Sequence, residues 1–111
     1  MPHRRSLSSA DFAALQAVRP SVLQGAYVTV VCADLPHLPF AKASCVVSKK
    51  VSSQAVVRNK IQRRLREIVR PFVLPAAASR AIVIRAKKQA AETDIVALRA
   101  DLEPLLSRVL A

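Results

Sequence analysis

Ser48–Arg70, SKKVSSQAVVRNKIQRRLREIVR, decides the architecture of this chain. From Val57 onward the apolar residues Val57, Ile61, Leu65, Ile68 and Phe72 recur at steps of four, four, three and four, the spacing of one buried helical face. Advancing about 100° per residue sets Asn59, Arg63, Arg66 and Arg70 opposite that stripe, flanked by Arg58 and Gln62 on one side and by Lys60 and Arg64 on the other. The segment holds Lys49, Lys50, Arg58, Lys60, Arg63, Arg64, Arg66 and Arg70, eight of the 18 Lys and Arg residues, against one acid, Glu67. Like charges three or four apart each cost about 0.2–0.5 kcal/mol in an isolated helix. A face kept merely in solution mixes its signs. This one is nearly all cationic, so it is suited to a polyanion.

Moving toward the N-terminus, Ala41–Ser48 alternates Ala43, Cys45 and Val47 with Lys42, Ser44 and Ser48, the period of a half-buried strand. Asp34–Phe40, with Pro36 and Pro39, reads as a loop, and the β-branched run Ala26–Ala33 reads as a second strand. Ser8 and Asp11 form a capping-box pattern that opens a helix over about 9–18, with Phe12, Leu15 and Val18 along one side and Pro20 as its stop. Toward the C-terminus, Pro71 should end the basic helix, which is therefore expected at about 55–70. Ala81–Arg85 is the continuous apolar run of a buried central or parallel strand. Thr93 or Asp94 then caps a last helix carrying Ile95, Leu98, Leu102, Leu106 and Val109, which Pro104 should kink or divide. Helix, strands, helix, strand, helix predicts two-layer α+β or α/β packing.

At 111 residues and 52% hydrophobic content, residues 1–111 are expected to form one domain with a core that needs no staple. A net charge of +11 is the footprint of a nucleic-acid binder. No apolar run is long enough for a bilayer, and MPHRRSLSSADF lacks the apolar core of a signal peptide, so a cytoplasmic location without a membrane partner is expected. Cys32 and Cys45 sit in strand-like runs and read as reduced core residues, and with His3 and His37 they show no zinc-ligand spacing. No motif joins paired carboxylates to a His, and no glycine-rich phosphate cradle occurs. The polypeptide reads as a binder, with no catalytic residue, metal or small-molecule substrate of its own.

Val47–Glu67 resembles the signature of the protein component of bacterial ribonuclease P, a serine-lysine-lysine turn followed by an Arg-Asn-Arg helix. The matching residues are Val47, Ser48, Lys49 and Lys50, then Ala55 and Val56, then Arg58-Asn59-Lys60-Ile61-Gln62-Arg63, and finally Arg66-Glu67. Asp11-Phe12, Tyr27 and Ile82–Lys88 extend the likeness over nearly the whole chain. Lys60 stands in place of the second arginine, Gln62 where a basic residue is usual, Gln16 where a second aromatic is common, and Ser44 and Ser52 or Ser53 where glycines are usual. Gly25 is left as the only glycine.

The resemblance implies an αβββαβα two-layer sandwich of ribosomal-protein-like type with a left-handed βαβ crossover. It implies a subunit that assists a catalytic RNA in removing the 5′ leader of precursor tRNA, with magnesium held mainly by the RNA. Carried over by position, Lys49, Lys50, Arg58, Asn59, Lys60, Arg63, Arg66 and Arg70 would contact the catalytic RNA. Phe12, Tyr27, Arg85, Lys87 and Lys88 are candidates for the leader, since aromatic faces stack on any base. Core packing is the competing role for both aromatics, and a solvated strand end for the three cations. The alternative function is another structural RNA-binding protein, such as a ribosomal protein. A helix-turn-helix reader is disfavoured because a strand, rather than a helix, precedes the basic helix.

Overall fold

The computed structural model describes residues 6–76 and 78–110. Its elements are α1 (Ser9–Ala17), β1 (Ser21–Gln24), β2 (Val28–Asp34), β3 (Lys42–Val46), α2 (Ala55–Val73), β4 (Arg80–Ala86), a short 3₁₀ helix (Lys88–Glu92) and α3 (Ile95–Val109). This is the expected αβββαβα order. The strands form one sheet in the order β1-β2-β4-β3, antiparallel except for the β3–β4 pair. Because β3 and β4 are adjacent and parallel, α2 is the crossover between them.

Alternation along the strands divides the core into two. Val28, Val30, Cys32, Cys45, Ile82 and Ile84 meet α2 and α3, whereas Ala81 and Val83 meet Leu15 of α1 and Leu35 and Leu38 of the β2–β3 loop. The α2 stripe lies where its period requires, with Ile61, Leu65 and Ile68 buried and Val57 and Phe72 packed at its ends. Val69 and Val73 widen the stripe. Each fully buried side chain of this size contributes about 1.5–3 kcal/mol. β4 is buried from Ala81 to Ile84, as its unbroken apolar run predicts for a central strand.

Two expectations change. α2 runs through Pro71 to Val73 instead of stopping at residue 70, and α3 runs undivided through Pro104. The reason is the same in both helices. A proline deprives the carbonyl four residues earlier of its donor, and here those positions, Glu67 and Ala100, are exposed, as are the prolines, so water can take its place. β1 was not legible from the residues because it is a four-residue edge strand in which only Leu23 is even half-buried. No helix among the described residues is long and apolar enough to cross a membrane.

Candidate nucleic-acid interface

The parallel pairing of β3 and β4 does what no local reading of the sequence could. Val46 is in register with Arg85, so the carboxyl ends of both strands lie side by side. Ser48–Val51 leaves β3 in a turn closed by the Val51 N–H donating to the Ser48 carbonyl at 3.0 Å, and it projects Lys49 and Lys50 into solvent. Arg85, Lys87 and Lys88 leave β4 at the same end. The two basic groups predicted separately therefore form one basic end of the sheet, from which α2 departs.

Along α2, Asn59, Lys60, Arg63, Arg66 and Arg70 are exposed, and none of their side chains has a hydrogen bond or ion pair among the described residues. Glu67, the helix's acid, is in no salt bridge among the described residues either. The flanking residues behave differently. Arg58 donates to the Ser52 carbonyl at 3.0 Å and so braces the turn before its own helix. Arg64 reaches the Thr93 carbonyl at 3.2 Å and ties α2 to the start of α3. Gln62, which replaces a usual cation, donates to the Cys45 carbonyl at 2.8 Å and fastens α2 to β3. Its amide serves packing between layers, which its position beside the stripe could have suggested.

The helix N-terminus is also open. Gln54 at the N-cap makes no side-chain cap bond, and the first turn holds no acid, whereas Ser8 caps α1, with the acid Asp11 in its first turn, and Asp94 caps α3. Unsatisfied N–H groups at a helix start favour negative charge. The Cys45 thiol beneath the helix is pushed up to about 12 by burial, with the Arg66 guanidinium opposing this, and burial also raises Cys32. Both are free buried thiols.

The candidate leader residues fall into two groups. Phe12 packs half-buried on the α1 side of the sheet with Val31, Ala33 and Val46. By strand alternation Arg85, flanked in register by Thr29 and Val46, shares that side. Tyr27 instead packs against the α2–α3 core from the β1–β2 turn, so the two aromatics belong to different clusters. The Lys87 N–H donates to the Tyr27 carbonyl at 2.8 Å, and its ammonium donates to the Gly25 carbonyl at 2.6 Å. Lys87 is thus a strut of that turn, while Lys88 is exposed and unpaired among the described residues.

α1 is held by polar contacts between residues far apart in sequence. Ser8 and Asp11 complete the capping box, with N–H to oxygen distances of 3.0 and 3.1 Å. The other carboxylate oxygen of Asp11 lies 2.8 Å from His37 Nε2, with Lys42 Nζ 3.9 Å from the carboxylate. The His37 contact and the Ser8 N–H hold the Asp11 carboxyl down, from 3.8 to about 2. A His and a carboxylate do meet here, 26 residues apart, and sequence spacing gave no sign of it; the pair anchors α1 to the β2–β3 loop. Among the described residues no three His, Cys, Asp or Glu side chains gather to hold a metal, and His3 lies outside those residues.

The family model described as Ribonuclease P matches residues 1–110. The ribonuclease P protein component of Thermus brockianus is 41% identical over 85 residues, covering 77% of this chain and 48% of that protein. The corresponding protein of Acidothermus cellulolyticus is 36% identical over 111 residues, covering 98% of this chain and 91% of that one. This chain therefore spans about half the length of the first relative and most of the second. The structure of the ribonuclease P protein from Thermotoga maritima superposes with a TM-score of 0.76 at 26% identity, covering 95% of this chain and 97% of that one.

Proposed function

This chain belongs to the ribonuclease P protein family, and from that membership we propose that it is the protein subunit of a ribonuclease P ribonucleoprotein, an endoribonuclease. It binds the catalytic RNA and the 5′ leader of precursor tRNA and assists hydrolytic removal of the leader. The observation that carries this reading is the row of exposed side chains Asn59, Lys60, Arg63, Arg66 and Arg70, unpaired among the described residues and continuous with the basic end formed by Lys49, Lys50, Arg85 and Lys88. Cations with no internal partner gain by meeting phosphates, and phosphate contacts give affinity with little sequence choice. That suits a subunit serving many tRNA precursors.

In this reading the polypeptide contributes binding and orientation only. Magnesium would be held mainly by the RNA. Phe12 and Arg85, on the α1 side, and Tyr27 and Lys88, at the turn end, would meet the single-stranded leader. The protein would act in the cytoplasm, with no membrane or small-molecule partner. Reconstitution tests the proposal. Purified protein added to its cognate catalytic RNA and precursor tRNA at low magnesium should restore correct 5′ cleavage, while protein alone should cleave nothing. Copurification with ribosomal subunits and failure to stimulate the RNA would favour a structural ribosomal role instead.

A further inference from the structure

The β1–β2 turn is bonded far beyond what joining two strands requires. The Gly25 N–H donates to the Val28 carbonyl at 2.8 Å, closing the hairpin. The next two N–H groups, of Ala26 and Tyr27, both point at the carboxylate of Asp101 on α3, donating to Oδ1 at 2.7 Å and to Oδ2 at 2.8 Å. The carbonyls of Gly25 and Tyr27 accept from the Lys87 ammonium and the Lys87 N–H. Two successive N–H groups make an anion-binding nest, and here one of the chain's seven acids fills it. A Cβ at Gly25 would lie 2.5 Å from one Asp101 carboxylate oxygen and 2.9 Å from the other. The protein's single glycine is therefore explained by this close approach.

A solvent-exposed hairpin turn needs none of this, since water satisfies its backbone. Asp101 of α3 and Lys87, just after β4, hold the turn that Gly25 begins at the basic end of the sheet, and the residue they lock is Tyr27. The geometry points to Asp101 as a positioning residue for RNA recognition, which with Gly25 and Lys87 fixes Tyr27 at the turn end, near Lys88, to receive the single-stranded leader. This rests on the proposed role of Tyr27 in leader binding. Asp101 does not touch the RNA; it acts by removing the turn's freedom before binding, so that ordering cost is not charged against the complex.

The test is a double-mutant cycle in the assembled ribonucleoprotein, with affinities for precursor and for mature tRNA and thermal unfolding of each variant. Asp101→Asn keeps the shape but turns an amide donor toward one of the two N–H groups. Tyr27→Leu keeps apolar packing and removes the aromatic face. Each should weaken precursor binding about three- to tenfold and leave mature tRNA binding unchanged. The double variant should be no weaker than Tyr27→Leu alone, because Asp101 acts through Tyr27. Additive losses, equal losses for both tRNAs, or no loss from Asp101→Asn would overturn the positioning role while sparing Tyr27 as a leader contact. No loss from Tyr27→Leu would overturn the leader role of Tyr27 and this inference with it. If Asp101→Asn does not fold, Gly25→Ala, which displaces the carboxylate without removing it, takes its place in the same cycle with the same outcomes deciding.

Discussion

α1 and α2 are anchored by opposite means. The nine-residue α1 has one fully buried apolar side chain, Leu15, and relies on the Ser8–Asp11 capping box, His37 and the Leu7 N–H donating to Ser44 Oγ at 2.9 Å. The 19-residue α2 has no side-chain cap and no acid in its first turn, but it buries Ile61, Leu65, Ile68, Val69 and Val73. A helix anchored by polar contacts has used its polar groups internally. One anchored by burial leaves its polar face free, and that is the face proposed to meet RNA.

Leu65→Ala should produce the largest effect, since it empties a fully buried site between the layers. A loss of about 2–5 kcal/mol is expected, and it should appear in urea unfolding with RNA binding falling in step. If stability barely moved, burial would not be what anchors α2.

Phe12→Ala separates packing from recognition on α1. The side chain is half-buried, so a core role alone should cost less than the ~3–5 kcal/mol of a fully buried phenylalanine. Stacking on a leader base should weaken precursor binding by about 1–3 kcal/mol and leave mature tRNA binding unchanged. A large melting shift with equal loss for both tRNAs would assign Phe12 to the core.

Asp11→Ala should cost about 1–3 kcal/mol through loss of the carboxylate's bonds to the Ser8 N–H and His37, with faster hydrogen exchange confined to α1. The same carboxylate makes α1 acid-sensitive. Its folded value, about 2, lies below its ordinary 3.8, so the unfolded chain binds the proton more tightly. The stabilisation is present above pH ~4 and is lost as pH falls toward 2. Urea midpoints of the natural chain should decline across that window more steeply than those of Asp11→Ala.

Arg63→Ala should change stability least, by within ~0.5 kcal/mol, because the side chain is exposed and unpaired among the described residues. Its effect belongs to RNA affinity. With about five to seven phosphate contacts the log–log salt slope should be roughly −4 to −6, and this substitution should reduce it by about one. An unchanged slope would place Arg63 outside the interface.

The amino-acid sequence alone determined the α2 stripe and its cationic face, the capping box at Ser8–Asp11, a cap for α3 at Thr93 or Asp94, and the buried course of β4. These are matters of local period and local hydrogen bonding, and a residue's neighbours three or four places away settle them. It could not show that Arg58 and Arg64 brace the fold while the side chains of Lys60, Arg63 and Arg66 have no partner among the described residues, because the bracing partners lie on Ser52 and Thr93. Nor could it show His37 against Asp11, or Asp101 filling the turn before Tyr27. Above all, only the tertiary structure set Lys49 and Lys50 beside Arg85 and Lys88. Their meeting depends on β3 pairing parallel with β4 across an intervening helix, and strand order is fixed by long-range burial and backbone pairing, which leave no periodic trace in the residues they join.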